Sequence, residues 1–497
     1  MTGEATTPTV ALRTADVVFV LALLGAATAA YYVAGLRFDA STFPGYMQFI
    51  DEHLLQDKML ESIWYYHANP PLLNLFVGTG RMVCGPYAAQ CFSVAFHALG
   101  CALAFAVLTL TLWLTRSRVA AYVCTAVLVW SPAFELYQSW LMYTFPAAAL
   151  LTAGAAALHR YVATGRNLWG ATFFGLLATL TLTRSVFHIA WLFLIAGILW
   201  WVLEGRRRQL LKVAALPLLV VTLWYGKNYY YFGTFSASTT VGLGLSNIST
   251  LTVPRDVLRG LVERGFLSPF AVISRYDDTD LLFSSQRLAP TGIEVLDSVR
   301  KTTGEYNYNN LQMLAVNRYY THDALVVIEL FPANYAAAWL ISNRLFFSPT
   351  SMNEYFADAN RDAARPFEKV FNPFFYGAHV TPRYLIQPHF GFDRPPSLEV
   401  NTGLLLVVVW FAVLAVAAVK VVKGLRRGRE PPDAGLVTIG FMCFSAVYVY
   451  LLGTGLELGE NYRYRFLVEP TFWVLETVAV CWLISKLRSG FATGQRR

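Results

Sequence analysis

The chain has 497 residues, of which 56% are apolar and only 14% are charged. Soluble proteins carry about 25% charged residues because their surface must meet water, so this composition excludes an ordinary soluble protein. The formal net charge of +8 needs no nucleic-acid partner, because the basic residues lie at the ends of apolar runs.

Long apolar runs recur along the chain. Most approach about 20 residues, the length at which a helix crosses a hydrocarbon core of roughly 30 Å, and we expect the shorter ones to tilt or thin the bilayer locally. The sequence therefore predicts an all-α polytopic membrane protein with about ten transmembrane helices. The first run also permits a signal peptide with its cleavage site at Ala27-Thr28-Ala29. The runs are 16–34, 88–113, 118–131, 144–158, 169–183, 186–203, 211–226, 402–422, 435–455 and 466–485.

Positive charge alternates from one connection to the next, which predicts that both chain ends are cytoplasmic. The composition of the cytoplasmic connections, rich in Arg and small apolar residues, favours a multi-pass protein of a bacterial plasma membrane. The residues that carry this charge are Arg116, Arg118, Arg160, Arg166, Arg206, Arg207, Arg208, Lys212, Lys423, Arg426, Arg427, Arg429, Lys486, Arg488, Arg496 and Arg497.

The apolar runs divide the chain into three predicted regions. Residues 1–226 form an N-terminal transmembrane module with a first external loop at 35–87, residues 227–400 an external segment, and residues 401–497 a C-terminal transmembrane module. In the external segment we expect an ordered loop over 231–247, which is rich in Gly, Ser and Thr, and helices over 292–320 and 323–347. The second helix should lie on the membrane or pack on the bundle. Residues 350–400 should be irregular.

The cysteine and acidic residues give little indication of a metal-binding site. The six cysteines, Cys84, Cys91, Cys101, Cys124, Cys443 and Cys481, are predicted to act as small apolar residues and not as a disulfide framework. No Cys/His pair has zinc-ligand spacing. Asp277, Asp278 and Asp280 can offer oxygen ligands to a divalent cation, or can simply form a solvated acidic turn.

The first external loop is rich in carboxylates. Asp39 follows the end of the first apolar run and would lie at the membrane surface, either as a catalytic base or as a solvated interfacial residue. Asp51 and Glu52 are the second candidates for a base.

Two prolines follow His67 and Asn69 in the segment HANPPL. Because prolines end a helix and fix the backbone, they would hold this polar pair near the outer membrane face. The pair is a candidate for substrate binding, and the alternative is an ordinary polar turn.

Cationic residues recur on the external side. Glu460, Arg463 and Arg465 belong to the segment ENYRYR before the last run, and arginines there can clamp a phosphate. Arg184 lies at an external turn and Lys227 at the exit of the seventh run. Each can instead be an interfacial anchor, as Arg and Tyr often are.

Together these segments resemble the GT-C glycosyltransferases, in particular the protein O-mannosyltransferase-like branch. Residues 38–45 (FDASTFPG) are similar to that family's F-D-E-x-x-F-G-G segment, with Ala40 where the family has Glu. Residues 67–72 are similar to its His-Pro-Pro-Leu element with two extra residues, and 227–233 (KNYYYFG) to its R-N-Y-x-x-F-G segment. Residues 460–465 match E-x-R-Y-R loosely, whereas 250–395 match nothing.

The resemblance implies a membrane glycosyltransferase that uses a polyprenyl-phosphate sugar on the outer face of the membrane. Asp39 would deprotonate the acceptor hydroxyl, the external cations would hold the leaving phosphate, and the anomeric carbon would be inverted. The acceptor can be a glycan, a lipid or a protein, and the sugar a hexose or a pentose. No cofactor is predicted, and a divalent cation stays open because metal dependence varies in this superfamily.

Three alternatives remain. A transporter or flippase of lipid-linked sugars would place charges within the spans, whereas here the runs are nearly free of Asp, Glu, Lys and Arg. An O-antigen-type ligase or polymerase would use a pyrophosphate carrier. A non-catalytic assembly subunit would use the external segment for docking.

Overall fold

The structure is a computed structural model, and it describes residues 10–273, 288–377, 379–380, 402–426 and 433–494. These residues are mostly α-helical, with one antiparallel pairing of β1 (His379–Val380) and β2 (Thr402–Gly403). Up to residue 232 the helices are α1 (Thr14–Val33), α2 (Glu52–Asp57), α3 (Met59–Trp64), α4 (Leu72–Cys84), α5 (Ala88–Thr115), α6 (Arg118–Trp130), α7 (Pro132–Gln138), α8 (Thr144–Thr164), α9 (Asn167–Thr181), α10 (Ile189–Val202) and α11 (Arg207–Phe232). The later helices are α12 (Val241–Thr250), α13 (Arg255–Glu263), α14 (Glu294–Asp297), α15 (Leu311–Leu330), α16 (Pro332–Phe346), α17 (Asp358–Tyr376), α18 (Leu404–Arg426), α19 (Ala434–Gly455) and α20 (Asn461–Gly494).

Six described stretches are long and apolar enough to cross a membrane, and there are up to eight if two bent helix pairs each form one span. The bent pairs are α6 with α7 and α15 with α16. The protein is thus a multi-pass helical membrane protein, as predicted. The count of ten is not confirmed, because α9 has 15 residues and α10 has 14, short of the roughly 20 that a straight crossing needs. The six stretches are Thr14–Val33, Leu72–Thr115, Glu204–Phe232, Leu404–Gly424, Ala434–Gly455 and Asn461–Arg488.

Helix α8 lies at the centre of the bundle, in contact with α5, α9, α19 and α20. Most of its residues are buried, and many of these are alanine or glycine, such as Ala148, Gly154 and Ala155. Small side chains let helix backbones approach closely, which is how membrane helices gain packing without a hydrophobic driving force.

The first external loop and most of the segment between α11 and α18 form a layer at one end of this bundle. Helix α12 packs on α15, and α16 packs on the ends of α19 and α20. Hydrogen bonds from Ser342 Oγ and Tyr335 Oη to the carbonyl oxygens of Thr454 and Gly455 hold α16 there. The single helix predicted over 323–347 is therefore wrong in its continuity, because the chain bends by 109° between α15 and α16, at Pro332. The predicted packing on the bundle is seen for α16.

Several local predictions were wrong. The expected helix over 292–320 is only α14, a loop, and the first half of α15, because Gly304 and the Asn-rich stretch before Leu311 interrupt it. Most of α12 lies within the expected loop over 231–247, and the expected irregular region after 350 contains α17. The division into three regions stays a prediction: its boundary at 226 lies within α11, and its boundary at 400 lies outside the described residues.

The cysteine prediction also needs correction. Helices α4 and α5 form a hairpin, in which the rings of Phe76 and Phe92 lie 5.3 Å apart. The turn brings Cys84, the last residue of α4, beside Cys91 in the first turn of α5, and the two form a disulfide. Cys101, Cys124, Cys443 and Cys481 are free.

Candidate functional site

A cavity of about 260 Å³ lies between the bundle and the layer that covers it. We call it the outer cavity. Its walls come from the first external loop, the start of α8, the turn after α9, the segment 236–244, and the facing ends of α19 and α20. Three predicted site residues line it: Asn69, Arg184 and Glu460. Its volume is near the lower end of the range for small-molecule sites, roughly 300 Å³.

Arg184 is the buried cation of the outer cavity. Its backbone N–H donates to the Leu180 carbonyl at 2.9 Å, which fixes the residue just beyond the end of α9. The guanidinium lies over the rings of Tyr143 at 4.4 Å and Tyr464 at 4.8 Å and donates to the Tyr143 hydroxyl. It forms no ion pair with any described residue, and its Nε has no hydrogen-bond partner among them. A buried, unpaired cation between aromatic rings is suited to an anionic ligand.

Two unpaired polar atoms line the same cavity as this cation. Asn69 Nδ2 and Gln48 Oε1 are buried, line the same cavity, and make no hydrogen bond within the described chain. Beside Asn69, the hydroxyls of Ser238 and Thr240 lie 2.9 Å apart, and both donate to the carbonyl of the preceding residue, Ala68. A buried donor or acceptor left unpaired costs about 1–3 kcal/mol, so a bound polar ligand would stabilise this arrangement.

His67 lies behind the cavity wall and does not line the cavity. Its backbone N–H donates to Asn309 Oδ1 at 2.7 Å, and its Nδ1 lies 2.8 Å from Thr239 Oγ1. Burial lowers the pKa of His67 to about 3, so the imidazole is neutral. The predicted rigid turn is present, and the structure brings Asn69, not His67, to the cavity.

Lys227 lies behind the same turn. Its ammonium donates to the carbonyl oxygens of Trp64 at 2.7 Å and Tyr66 at 3.4 Å, and it lies 3.9 Å from the centre of the Trp224 ring. The lysine therefore joins the end of α11 to the loop that carries Asn69. It does not line the outer cavity.

The two arginines in the first turns of α20 point to different places. Arg463 Nη1 pairs with Glu460 Oε1 at 2.6 Å, and its guanidinium lies 5.0 Å from the Trp140 ring centre. Arg465 donates to the Ser348 carbonyl at 2.6 Å and lies over the Tyr376 ring. Residues two apart on a helix point in different directions, so a joint clamp of both arginines on one phosphate is not formed.

Asp39 is fixed by backbone hydrogen bonds to the segment before α8. Its N–H donates to the Ser139 carbonyl at 2.6 Å, and its carbonyl accepts from the Leu141 N–H at 2.9 Å. The carboxylate is half-buried and accepts from the Ser41 N–H at 2.8 Å. It forms no ion pair with any described residue.

The Tyr46 hydroxyl lies within electrostatic range of Asp39 and of two residues near the cavity, Arg463 and Glu460. Burial raises the pKa of Tyr46; the positive charge of Arg463 opposes this rise, and the carboxylates of Asp39 and Glu460 add to it. These charges therefore surround one phenol. The residues that follow it, Met47 and Gln48, line the outer cavity. Asp39 itself lies beside the cavity and does not line it.

The other two carboxylates of the loop are engaged elsewhere. Asp51 accepts from Thr302 N–H at 2.5 Å and from Thr302 Oγ1 at 2.6 Å. Glu52 pairs with Arg81. Neither lines the outer cavity, and both contacts are structural ties between loop one and its neighbours.

No group of three or more His, Cys, Asp or Glu residues that can hold a metal ion occurs in the described part of the chain. The acidic run of Asp277, Asp278 and Asp280 lies outside the described residues. The outer cavity itself has Glu457 and Glu460 as its acidic residues.

Sequence reasoning missed the residues that hold Arg184 in place. Tyr143 and Tyr464 are far apart in the chain, and only Tyr464 belongs to a segment that drew notice. The Ser238 and Thr240 hydroxyls lie in a Ser/Thr-rich stretch, SASTT, and no local pattern in the sequence indicates that this stretch lines the cavity.

No protein-family model and no curated protein matches this chain. Among solved structures, ArnT from Cupriavidus metallidurans bound to undecaprenyl phosphate is 14% identical with a TM-score of 0.34, and the match covers 92% of this chain and 78% of ArnT. The apo oligosaccharyltransferase of Archaeoglobus fulgidus is 10% identical with a TM-score of 0.33, over 96% of this chain and 52% of its own. ArnT in its apo state is 14% identical with a TM-score of 0.30, over 94% and 78%. TM-scores this low fall short of a shared fold, so these likenesses establish neither a family nor an activity for this chain.

Proposed function

We propose that this protein is a membrane glycosyltransferase that moves a hexosyl or pentosyl group from a polyprenyl-phosphate donor to an acceptor hydroxyl. The reaction takes place on the external face of a bacterial plasma membrane and inverts the anomeric carbon. The acceptor oxygen attacks that carbon, its proton passes to Asp39, and the bond to the phosphate oxygen breaks to release polyprenyl phosphate. The acceptor is a glycan, a lipid or a protein.

The observation that carries the proposal is the unpaired, buried guanidinium of Arg184 in the outer cavity. A departing phosphate gains negative charge, and a fixed cation in a poorly hydrated site stabilises such charge strongly. The aromatic rings of Tyr143 and Tyr464 hold the guanidinium without neutralising it. Asn69 and Gln48 offer unpaired polar atoms to the donor in the same cavity.

Asp39 is the preferred base because its carboxylate has free acceptor capacity. It accepts one hydrogen bond, from the Ser41 N–H, and has no cationic partner in the described residues. Asp51 and Glu52 already hold Thr302 and Arg81, and moving a proton to either would weaken a structural contact.

The remaining predicted residues take positioning roles in this proposal. Lys227 and His67 hold the turn that presents Asn69, and the ion pair with Arg463 orients Glu460. Arg465 joins the start of α20 to the segment after α16, because it donates to the Ser348 carbonyl.

The resemblance of residues 38–45 and 227–233 to GT-C segments supports a glycosyltransferase over the alternatives. A flippase would need a polar path through the bundle. Helix α20 contains two acidic residues, Glu469 and Glu476. The carboxylate of Glu469 accepts hydrogen bonds from Thr350 and Tyr376, so it already has protein partners.

The test uses the purified protein in lipid vesicles with a panel of polyprenyl-phosphate sugars and candidate acceptors, and follows release of polyprenyl phosphate. Wild type should turn over one donor. Asp39→Asn should lower turnover by about 10²–10⁴-fold while leaving donor binding intact. Arg184→Gln should weaken donor binding by about 30-fold or more. Asp57→Asn, an exposed acid of the same loop, is the matched control and should be unchanged.

Different results would change different parts of the proposal. Turnover that survives in Asp39→Asn would keep the enzyme class and transfer the role of base to Asp51 or Glu52. Turnover of a pyrophosphate-linked donor alone would favour a ligase or polymerase. Absence of both turnover and donor binding would exclude the glycosyltransferase, and lipid flipping would then be measured.

A further inference from the structure

A second cavity, of about 200 Å³, lies at the opposite end of the bundle. We call it the inner cavity. Ala434, the first residue of α19, lines the inner cavity, and Leu456, just past the end of that helix, lines the outer one. The 22 residues between them span about 33 Å as helix, slightly more than a hydrocarbon core of roughly 30 Å. The two cavities therefore lie at opposite membrane surfaces.

Two unpaired cations line the inner cavity. Arg116 is exposed at the end of α5, where its positive φ of 57° turns the chain, and Lys420 is half-buried near the end of α18. Neither forms an ion pair or a hydrogen bond through its side chain with any described residue. The acidic residue of the cavity is Asp433, whose carboxylate accepts from the N–H groups of Gly435 and Leu436 and so caps α19.

An aromatic wall closes one side of the inner cavity. The rings of Trp113 and His159 stack with their centres 5.1 Å apart, and Trp113 Nε1 donates to the Val10 carbonyl. Arg160 adds a further positive charge beside this wall, 5.6 Å from the Trp113 ring centre. The cavity is thus a net cationic pocket at the membrane surface.

An apolar groove of about 170 Å³ adjoins this pocket. It lies between α8, α10, α18 and α19 and is lined only by Leu, Ile, Val, Phe and Gly residues. Leu436 lines both the inner cavity and the groove, so the two spaces are adjacent at this side chain. Gly440 forms part of the groove floor, where the missing side chain leaves space up to Val421.

We propose that the inner cavity and the groove together bind one anionic phospholipid from the leaflet on the side of the N-terminal end of α1. The lipid phosphate lies against Arg116 and Lys420, and one acyl chain lies along the groove past Leu436. Basic pockets between membrane helices attract anionic headgroups, and the adjoining groove adds apolar contact that a soluble phosphate cannot use. This site is separate from the outer cavity and does not depend on the proposed function.

The test is native mass spectrometry of the purified protein in detergent, titrated with phosphatidylglycerol or phosphatidylcholine. Wild type should bind phosphatidylglycerol more tightly than phosphatidylcholine. The double substitution Arg116→Gln with Lys420→Gln should weaken phosphatidylglycerol binding by about 30-fold, since each cation contributes about fivefold.

The matched control is Arg208→Gln with Lys212→Gln. Both residues are exposed at the start of α11, at the same end of the bundle, because the neighbouring Arg206 donates to the Val162 carbonyl near the end of α8. This pair does not line the inner cavity. It should leave phosphatidylglycerol binding unchanged, and an equal loss in the control would overturn the proposal by assigning the effect to general surface charge.

Gly440→Leu separates a lipid from a soluble phosphate. The new side chain would fill the groove, and its Cβ would lie 3.6 Å from the nearest Val421 methyl, an ordinary contact. Weaker phosphatidylglycerol binding in this variant, with no displacement by inorganic phosphate, supports the lipid site. Unchanged binding, or displacement of the lipid by inorganic phosphate alone, overturns it. Gel filtration and thermal unfolding of each variant show that the fold is retained, and Gly440→Leu tests the site even if the double variant fails to fold.

Discussion

Asp51 fastens the first external loop to the segment that precedes α15. Its carboxylate accepts from the Thr302 N–H at 2.5 Å and from Thr302 Oγ1 at 2.6 Å, and it is only 6% exposed. The adjacent Lys301 donates to the carbonyl oxygens of Pro44 and Tyr46. Burial would raise the pKa of Asp51, but the hydrogen bonds from Thr302 outweigh it and lower the pKa. The group is therefore ionised at neutral pH and serves as a structural acceptor.

The perturbation we consider is Asp51→Asn. The amide can accept only one of the two Thr302 hydrogen bonds through its oxygen, and its NH₂ group faces the other donor. Losing one hydrogen bond to a charged acceptor and weakening the second should cost about 2–3 kcal/mol. If this free energy is lost from the local contact between Asp51 and Thr302, the population in which that contact is open should rise roughly 30- to 150-fold.

Hydrogen–deuterium exchange followed by mass spectrometry measures this directly. Peptides covering 299–310 and 44–52 should exchange faster by that factor in Asp51→Asn, whereas peptides from α8 should be unchanged. Asp57→Asn is the control, because Asp57 is exposed and accepts no hydrogen bond from Thr302. Unchanged protection of 299–310 in Asp51→Asn would refute the view that this carboxylate is a structural tie, and would restore it as a candidate base.

Two further predictions concern the same external layer. Burial opposes the charged form of His53, but hydrogen bonds to Glu294 and Asp51 raise its pKa. These contacts should therefore protect the neighbouring amides from hydrogen exchange fully below the pKa of His53 in the unfolded chain, about 6.5. The protection should be lost as the pH rises through the higher pKa of His53 in the folded protein. Exchange at about pH 6 and about pH 9, corrected for intrinsic rates, checks this, and greater protection at the higher pH would contradict it. Gly242→Ala should destabilise by about 1–3 kcal/mol, because its Cβ would clash with the Asn317 carbonyl and push α12 from α15. Thermal unfolding in detergent should give a lower midpoint for Gly242→Ala than for the control Gly226→Ala, where nothing lies within 4 Å of the new Cβ. Equal midpoints would show that the clash does not destabilise the protein.

The membrane helices were predictable because long apolar runs have few alternatives in a bilayer, where backbone groups must bond within their own segment. The outer layer was less predictable. Helix α17 contains Pro366 and Pro373, which by themselves indicate a break. It forms nonetheless, with one face buried by residues such as Ala364 and Phe371. Tertiary burial there outweighs local propensity, and no single segment encodes it.

The candidate site was predictable in composition but not in geometry. The sequence indicates candidate polar residues in three separate segments, and three of them, Asn69, Arg184 and Glu460, line one cavity. The spacing could not show that His67 and Lys227 would turn away from the cavity to support it. That depends on carbonyl groups near the end of α3 and on Asn309, which lies far along the chain. Hydrogen bonds to distant backbone atoms leave no periodic signal in a sequence.

The disulfide between Cys84 and Cys91 bears on which way the protein faces. Such bonds persist outside the cytosol and are reduced within it. Helix α5 has 28 residues, about 42 Å, which exceeds a hydrocarbon core of roughly 30 Å, and the cysteine pair lies at the tip of the hairpin, where α5 begins. For the bond to last, this tip must meet an oxidising compartment, which is the orientation that the distribution of Arg and Lys predicts from unrelated chemistry. Thiol reactivity on intact cells and on inverted vesicles would then report topology without any tag.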